Sequence, residues 1–276
     1  MSIAEITPQE FDLFRSLIEQ KVGIGLTQEK RRFLGRKLAR RIKELSLSSY
    51  ASYYRLVGSR EGEAELARLL GMVTIGQTQF FRGDHQFTLF ADKLLPQILE
   101  RKKDGGRVRF WSAACSMGQE PYSIAILLLE KTRQARDLDM KILATDVDRE
   151  SLRFAHAGRY PGSVKAEVPS PYLSRHFKLE KGPGGEGYRV REEVRRLISF
   201  RTLNLLTFPY PMAGPFDAVW LRNTMIYFGA PAKKAILAEV QRLLVPGGFL
   251  CLGGSESLLG LDARFSLLSH AVYVKS

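Results

Sequence analysis

Phe110-Trp111-Ser112-Ala113-Ala114-Cys115-Ser116-Met117-Gly118-Gln119-Glu120-Pro121-Tyr122-Ser123 is the stretch on which the reading of this 276-residue chain turns. It joins the β-prone run Arg107–Ser112 to the helical run Gln119–Leu129 through a loop of small residues that reaches a glycine. Small side chains let a ligand approach the backbone, and Gly118 permits conformations closed to other residues. In an open α/β sheet, ligands bind at this carboxyl end of a strand. The loop has neither G-x-G-x-x-G nor a Walker Gly-Lys-Ser/Thr, so few glycine amides are available to cradle a pyrophosphate.

Outward from this stretch, strands and helices alternate. Asp84 is expected to cap a helix carrying Phe87, Phe90, Leu94 and Ile98. Lys141–Thr145 reads as a strand, and Asp148 as the cap of a helix with Leu152 and Phe154. Strands are expected at Leu197–Phe200, Phe216–Leu221, Phe249–Leu252 and Ala271–Lys275, with a helix over Ala232–Leu244. The alternation predicts a parallel sheet with helices on both faces. Between Arg159 and Arg196 it is interrupted by Pro161, Pro169, Pro171, the glycine-rich run 182–187 and the strand-like Tyr188-Arg189-Val190. These 38 residues are too many for an idle connection, so a small inserted subdomain with a hairpin is predicted.

The first eighty residues read as helices. Thr7-Pro8-Gln9-Glu10 is a capping box with proline at the first helical position. Phe11, Phe14, Ile18 and Val22 recur at helical spacing until Gly23 and Gly25, and Thr27 is the expected next cap. Leu34, Leu38, Ile42 and Leu45 form one stripe of the second helix. Two shorter helical patterns follow, at 50–57 and 61–70, before Gly71. The expected organisation is a helical domain over 1–80 and an α/β domain over 81–276, with the insertion at about 159–196.

Composition bounds the function. Hydrophobic residues are 45% and charged residues 26%, the balance of a globular protein. The longest apolar run, Ile124–Leu129, is far short of the ~20 residues that cross a bilayer. Early acidic residues in MSIAEITPQEFDLF argue against a secretory signal. Cys115 and Cys251 are the only cysteines, which excludes a disulfide framework and suits a reducing compartment. Forty-two Lys and Arg against 29 Asp and Glu leave +13, favouring an acidic partner. Eight of those cations fall between Lys30 and Lys43 without one acid. Arg32, Arg36, Arg40 and Lys43 lie opposite the leucine stripe, while Lys30, Lys37 and Arg41 edge it. A solvated face usually interleaves both signs, so unopposed cations favour a binding face.

The second strand ends at Asp146, 26 residues after Glu120. An acid there can accept hydrogen bonds from both hydroxyls of a ribose. Each acid alone reads as structural. Together, behind a loop unsuited to phosphate, they suit a cationic nucleoside, and S-adenosylmethionine, with a ribose, an ammonium and a sulfonium, fits. His85, His156, His176 and His270 are scattered and no Cys/His cluster has metal-ligand spacing, so no metal is expected. No G-x-S-x-G elbow occurs, and Cys115 reads as a small packing residue.

At this point the sequence resembles the CheR-type chemotaxis-receptor glutamate methyltransferases, which use S-adenosylmethionine. Besides the 111–123 loop, the resemblance rests on Thr78-Gln79-Phe80-Phe81-Arg82, Ala144-Thr145-Asp146-Val147-Asp148, Asn204-Leu205-Leu206, Arg222-Asn223-Thr224-Met225-Ile226-Tyr227-Phe228 and Gly253-Gly254-Ser255-Glu256-Ser257. It implies a Rossmann-like class I methyltransferase sheet, an N-terminal all-helical domain and a small inserted β-subdomain. It places Thr78, Arg82, Gly118, Glu120, Asp146, Asn204, Leu205, Arg222 and Asn223 at the cofactor. Glu120 would face the methionine end, Asp146 the ribose, and Asn204 and Leu205 the adenine. Arg222 and Asn223 would lie where the reacting methyl sits. Arg82 would hold a carboxylate, that of the cofactor or of the substrate glutamate, and with Tyr227 would position the reacting group. Three positions depart from the commonest pattern: Gly76 stands where many members have Asn, Gln119 where Glu is usual, and Gly254 where His is common. Gln77 is a candidate to replace the hydrogen bond lost at Gly76.

The resemblance further implies that the basic helix, through Arg32, Arg36, Arg40 and Lys43, faces the acidic methylation helices of a chemoreceptor. The Lys181–Tyr188 loop resembles the longer form of β-subdomain that docks a receptor's C-terminal tail peptide. A cytoplasmic monomer is expected, without nucleic acid or membrane insertion. The main alternative is a nucleic-acid methyltransferase, suggested by the charge; the only aromatic within the basic helix is Phe33, and no base-reading signature is visible. A non-catalytic receptor-binding regulator is a further alternative, against which the retained Arg82, Glu120, Asp146, Asn223 and Tyr227 argue.

Overall fold

The computed structural model describes residues 5–23, 25–59, 62–73, 78–102, 106–132, 138–182, 185–261 and 264–276. Its first part is helical. α1 (Pro8–Val22) opens on the capping box: Thr7 Oγ1 accepts the Glu10 N–H at 3.2 Å and Glu10 Oε2 accepts the Thr7 N–H at 3.0 Å. Gly23 closes it at φ +69°, a left-handed cap that glycine adopts without a Cβ penalty. Before α2 (Arg31–Glu44) comes a 3₁₀ turn, Gln28–Lys30. Thr27 precedes that turn but its hydroxyl makes no cap bond, contrary to expectation; the Thr27 carbonyl accepts the Lys30 N–H at 3.0 Å instead. α3 (Tyr50–Gly58) is capped by Ser49. α4 (Glu63–Val73) runs through Gly71, where the sequence pattern had it stop. A Cβ on Gly71 would lie 2.5 Å from the Asp148 carboxyl carbon, so glycine lets α4 press against the second half of the chain. Phe11, Phe14, Ile18, Leu34, Leu38, Ile42 and Tyr53 fill the helical core, and Val147 and Tyr227 of the following part pack against it.

α5 (Asp84–Leu89), a π-helical turn (Phe90–Leu94) and α6 (Leu95–Glu100) form one continuous helical path. The cap is Gly83 at φ +80°, not Asp84, which is the first helical residue. A Cβ on Gly83 would fall 2.6 Å from Arg222 Nη2, so both the left-handed backbone and a distant arginine favour glycine at this cap.

Then come β1 (Arg107–Ala113), α7 (Gln119–Lys131), β2 (Asp139–Asp146), α8 (Arg149–Ala157), β3 (Arg159–Pro161), α9 (Ser170–His176), β4 (Phe177–Gly182), β5 (Gly185–Val190), α10 (Glu192–Arg195), β6 (Ile198–Thr202), β7 (Phe216–Leu221), α11 (Ala230–Leu243), β8 (Leu244–Leu252), β9 (Phe265–Ser269) and β10 (Val272–Lys275). Seven strands form a sheet in the order β6-β2-β1-β7-β8-β10-β9, the first five parallel and β10 antiparallel to both its neighbours. Every residue of β7 is buried, as a parallel strand covered on both faces requires. Phe87 stacks on Trp220 at 4.8 Å and Phe90 meets Phe110 edge-on at 5.5 Å, fastening α5 and the π turn to the sheet. From β1 the chain winds outward to β2 and β6, then returns to β7 on the other side. That reversal between β1 and β7 opens a crevice at their carboxyl ends.

β9 was not foreseen. It is an edge strand whose Leu267 and Leu268 are exposed, so it lacks the alternation that marks a half-buried strand. The interruption between Arg159 and Arg196 holds a second, antiparallel sheet in the order β3-β5-β4, with the predicted hairpin formed by β4 and β5. The architecture is the expected one: a Rossmann-like sheet preceded by helices and carrying a small β-subdomain. Among the described residues, no helix is long and apolar enough to cross a membrane.

Candidate active site

A cavity of about 950 Å³, its open mouth included, lies at the carboxyl ends of β1, β2 and β7. It brings together Thr78, Arg82, Glu120, Asp146, Asn204, Leu205, Arg222, Asn223 and Tyr227, eight of the nine residues expected at the cofactor and the tyrosine. The missing residue is Gly118. A Cβ there would lie 2.7 Å from the Ala155 Cβ and 3.2 Å from the Tyr160 hydroxyl, and φ is +89°. Glycine is therefore required by the packing of the loop on α8 and β3 rather than by exposure to the cavity.

The loop after β1 forms one wall through Ala114, Cys115 and Ser116, two of which adopt left-handed backbone (Ala114 φ +59°, Ser116 φ +48°). This turn aims the Ser116 N–H at Asp146 Oδ2, 2.7 Å away, while Asp146 Oδ1 accepts the Asp148 N–H at 2.9 Å. Each oxygen keeps acceptor capacity for a ligand. Asp146 is 7% exposed, and burial pushes its carboxyl up to about 6 despite those amides. Cys115 is buried too; burial, reinforced by Asp146 and Glu120, raises its thiol well above the ordinary range, as suits a packing residue rather than a nucleophile.

Glu120 stands in the first turn of α7. Its Oε1 accepts the Ser112 hydroxyl at 2.7 Å and its Oε2 the Arg222 guanidinium at 3.3 Å. Burial raises its carboxyl, while Arg222 and Ser112 pull it back. Arg222, 9% exposed at the end of β7, also donates to the Arg82 carbonyl and lies 5.5 Å from the Phe87 ring. It therefore braces Glu120 and the 78–83 segment at once. Arg82 itself is exposed and lines the mouth of the cavity. Thr78 lies beside it on the wall; Gly76 and Gln77 lie outside the described residues.

The opposite wall holds Leu203, Asn204 and Leu205. The Asn204 amide donates to the Lys21 carbonyl at 3.0 Å and its oxygen accepts the Leu206 N–H at 3.0 Å, so it ties the end of α1 to the cavity. The helical part reaches the rim again where Gly25 N–H meets the Tyr227 carbonyl at 3.4 Å and the Lys30 ammonium sits 5.5 Å from the Tyr227 ring.

Sequence reasoning missed two contributors. Ser112, quoted in the loop, was given no role although it holds Glu120. Glu256 has no role in the sequence reading, yet it accepts the Asn223 and Thr224 N–H groups at 2.8 and 2.9 Å. Its signal in the sequence was an acid two residues after paired glycines, which has many bland readings.

The basic helix forms a separate surface. Arg32, Arg36, Arg40 and Lys43 are exposed and Lys37 and Arg41 half-buried, as predicted. The cations are not unopposed, however. Arg32 meets Glu5 at 3.5 Å, Arg40 meets Glu44 at 3.3 Å and Arg41 meets Glu65 at 2.7 Å, all acids from outside the Lys30–Lys43 window. Exposed pairs of this kind contribute little and leave the face basic. A groove of about 1370 Å³ runs between this helix and α8, with Phe33 and Phe154 both exposed along it.

No cluster among the described residues could hold a metal ion. The donor set suits a cationic nucleoside: buried Asp146 and partly buried Glu120 with spare acceptor capacity, aliphatic Leu203 and Leu205, and an inner arginine already engaged by Glu120. The family model described as CheR methyltransferase, SAM binding domain, matches residues 76–274, and that described as CheR methyltransferase, all-alpha domain, matches residues 9–74. A probable chemotaxis protein methyltransferase of Rhizobium etli is 38% identical over 244 residues, 88% of this chain and 91% of its own. The chemotaxis protein methyltransferase of Escherichia coli is 35% identical over 271 residues, 98% of this chain and 92% of its own. Chemotaxis protein methyltransferase 2 of Pseudomonas aeruginosa is 36% identical over 267 residues, 97% and 93% of the two chains.

Proposed function

This chain belongs to the CheR methyltransferase family, and on that premise we propose that it methylates glutamate side chains of a chemoreceptor, yielding methyl esters and S-adenosylhomocysteine. It is an S-adenosylmethionine-dependent methyltransferase with chemotaxis relatives; the ester chemistry and the substrate are the proposal. The observation that carries it is the convergence of buried Asp146 and partly buried Glu120 on one cavity at the switch point of the sheet.

In this reading Asp146 accepts the two ribose hydroxyls and Glu120, braced by Ser112 and Arg222, faces the methionine ammonium. Asn204 and Leu205 border the adenine, and Thr78 closes the edge. Bound S-adenosylmethionine supplies a methyl group activated by its sulfonium. A glutamate side chain, with an ordinary pKa of about 4.3, is already ionised at neutral pH, so no residue need remove a proton. The protein's work is orientation and exclusion of water. Arg82 and Tyr227 hold the substrate carboxylate, and Asn223 lines the reacting end.

The proposal divides the chain near residue 80, receptor recognition before it and methyl transfer after. Arg32, Arg36, Arg40 and Lys43 face the acidic methylation helices of the receptor, in the cytoplasm. The β3-β5-β4 sheet takes a receptor tail peptide, a role supported by loop length alone. The test is transfer of labelled methyl from S-adenosylmethionine to chemoreceptor fragments, read as base-labile methanol. Label on RNA instead would favour the nucleic-acid alternative, and cofactor binding without any transfer the regulator.

A further inference from the structure

Glu256 lies outside the cavity, in the turn after β8, and is 8% exposed. Its Oε2 accepts the N–H groups of Asn223 at 2.8 Å and Gly253 at 2.5 Å; its Oε1 accepts those of Thr224 at 2.9 Å and Ile226 at 3.2 Å. Four backbone donors thus converge on one carboxylate, and three of them come from the loop after β7. That loop brings Arg222, Asn223, Thr224, Tyr227 and Phe228 to the cavity. Asn223 is held at φ +56°, a left-handed conformation uncommon for a residue with a side chain. Only the short 3₁₀ turn Met225–Tyr227 gives the loop regular structure, so Glu256 supplies the acceptors its amides otherwise lack. The fit is close: a Cβ on Gly253 would lie 2.7 Å from both Asn223 Nδ2 and Glu256 Oε2. The turn that carries Glu256 is itself anchored. Gln86 Nε2 donates to the Leu252 carbonyl at 2.7 Å, and the Leu258 N–H to the Tyr273 hydroxyl at 3.2 Å.

We infer that Glu256 is a positioning residue for methyl transfer: by gathering the amides of Asn223, Thr224 and Ile226 it holds Asn223 and Tyr227 at the reacting end of the cavity. The inference rests on the reading of that loop given under the proposed function. It touches neither cofactor nor substrate, so its effect falls on turnover more than on affinity, which Asp146 and Glu120 carry.

The experiment uses the full chain with Glu256→Gln, and with Tyr273→Phe as a control at the other end of the same turn. Glutamine keeps the volume but sets an NH₂ against two N–H donors, so half the bonds are lost. Glu256→Gln is expected to lower kcat on a receptor fragment by about 30-fold, with S-adenosylhomocysteine affinity changed less than about threefold. Tyr273→Phe leaves both within about threefold of the parent, since it removes one neutral bond remote from the loop. In the parent without cofactor, the Asn223, Thr224 and Ile226 amides are expected to be protected from hydrogen exchange.

Parental kcat in a folded Glu256→Gln chain overturns the inference alone and leaves the functional reading standing. An affinity loss as large as the kcat loss marks a general loosening of the cavity and overturns it too. Open-loop exchange of the three amides in the parent overturns it even if the variant fails to fold. A parent that neither binds S-adenosylhomocysteine nor transfers methyl overturns the functional reading first and this inference with it.

Discussion

The cavity and the outer face of α2 both work through charge, in opposite settings. In the cavity Asp146 is buried and Glu120 largely shielded, and each is fixed by named donors: Ser116 and Asp148 on one, Ser112 and Arg222 on the other. On α2, Arg32, Arg36, Arg40 and Lys43 are exposed, and those with acidic partners meet them in water. A charge held in a low-dielectric wall has a strong and directional effect, while an exposed one is screened by salt and replaceable by its neighbours. On the proposed function, cofactor selection then rests on a few irreplaceable groups and partner attraction on a sum.

The largest effect should come from Asp146→Ala. Two hydroxyl bonds to a buried carboxylate are lost, so S-adenosylhomocysteine affinity by calorimetry is expected to fall about 100-fold or more. A drop below tenfold would dissolve the contrast between the two regions.

Arg41 sharpens it, because it belongs to α2 yet behaves like a cavity charge. It pairs with Glu65 at 2.7 Å, and the same carboxylate accepts the Tyr53 hydroxyl at 2.8 Å. Its side chain is 16% exposed, whereas that of Arg40 is 81% exposed. Arg41→Ala strands Glu65 and is expected to cost about 3 kcal/mol in urea unfolding, and Arg40→Ala under about 0.5 kcal/mol. Equal costs would mean that burial does not separate the two classes.

The third effect is on pH. Burial pushes the Asp146 carboxyl up to about 6, and in the proposed function its ionised form accepts the ribose hydroxyls. Binding is therefore full above that value and lost as pH falls through it, roughly tenfold weaker at pH 5 than at pH 7. Asp146→Asn should flatten this profile. The sign for folding is opposite to that of an ion-paired acid. The folded chain without ligand holds this proton more tightly than the unfolded one, so the group's cost appears as pH rises from its unfolded pKa, about 3.9, to the folded value.

The smallest effect should be that of Arg32→Ala with Arg36→Ala. Cofactor affinity stays at the parental value, and association with a receptor fragment weakens about fivefold at low salt, less as salt screens the remaining cations. A salt-independent loss would place these residues in a built contact like that of the cavity.

How much was legible follows the range of the interactions. The capping box at Thr7, the Asp148 cap, the β1-loop-α7 unit and the apolar β7 are set by neighbours within a few positions, and each stands where the pattern put it. The cap of α5 is Gly83 rather than Asp84, and the closeness of Arg222 that favours glycine there has no trace in the local pattern. The spacing of the loop does not show that Ala155 and Tyr160 press on Gly118. The acids that temper α2 lie outside its window, and Glu256 carries no local pattern that marks it as an acceptor of loop amides.

Residue order alone set which segments are helix or strand, which faces are apolar, and that one acid opens the helix after the first strand while another closes the second strand. Those features follow from backbone periodicity and side-chain type, which act over one or two turns. Only the tertiary structure decided that Arg222 braces Glu120 across 102 positions, that Asn204 reaches back to Lys21, and that Glu256 gathers the amides of the loop after β7. Buried polar groups must find partners wherever the fold brings one within about 3 Å, and chain distance places no limit on that choice.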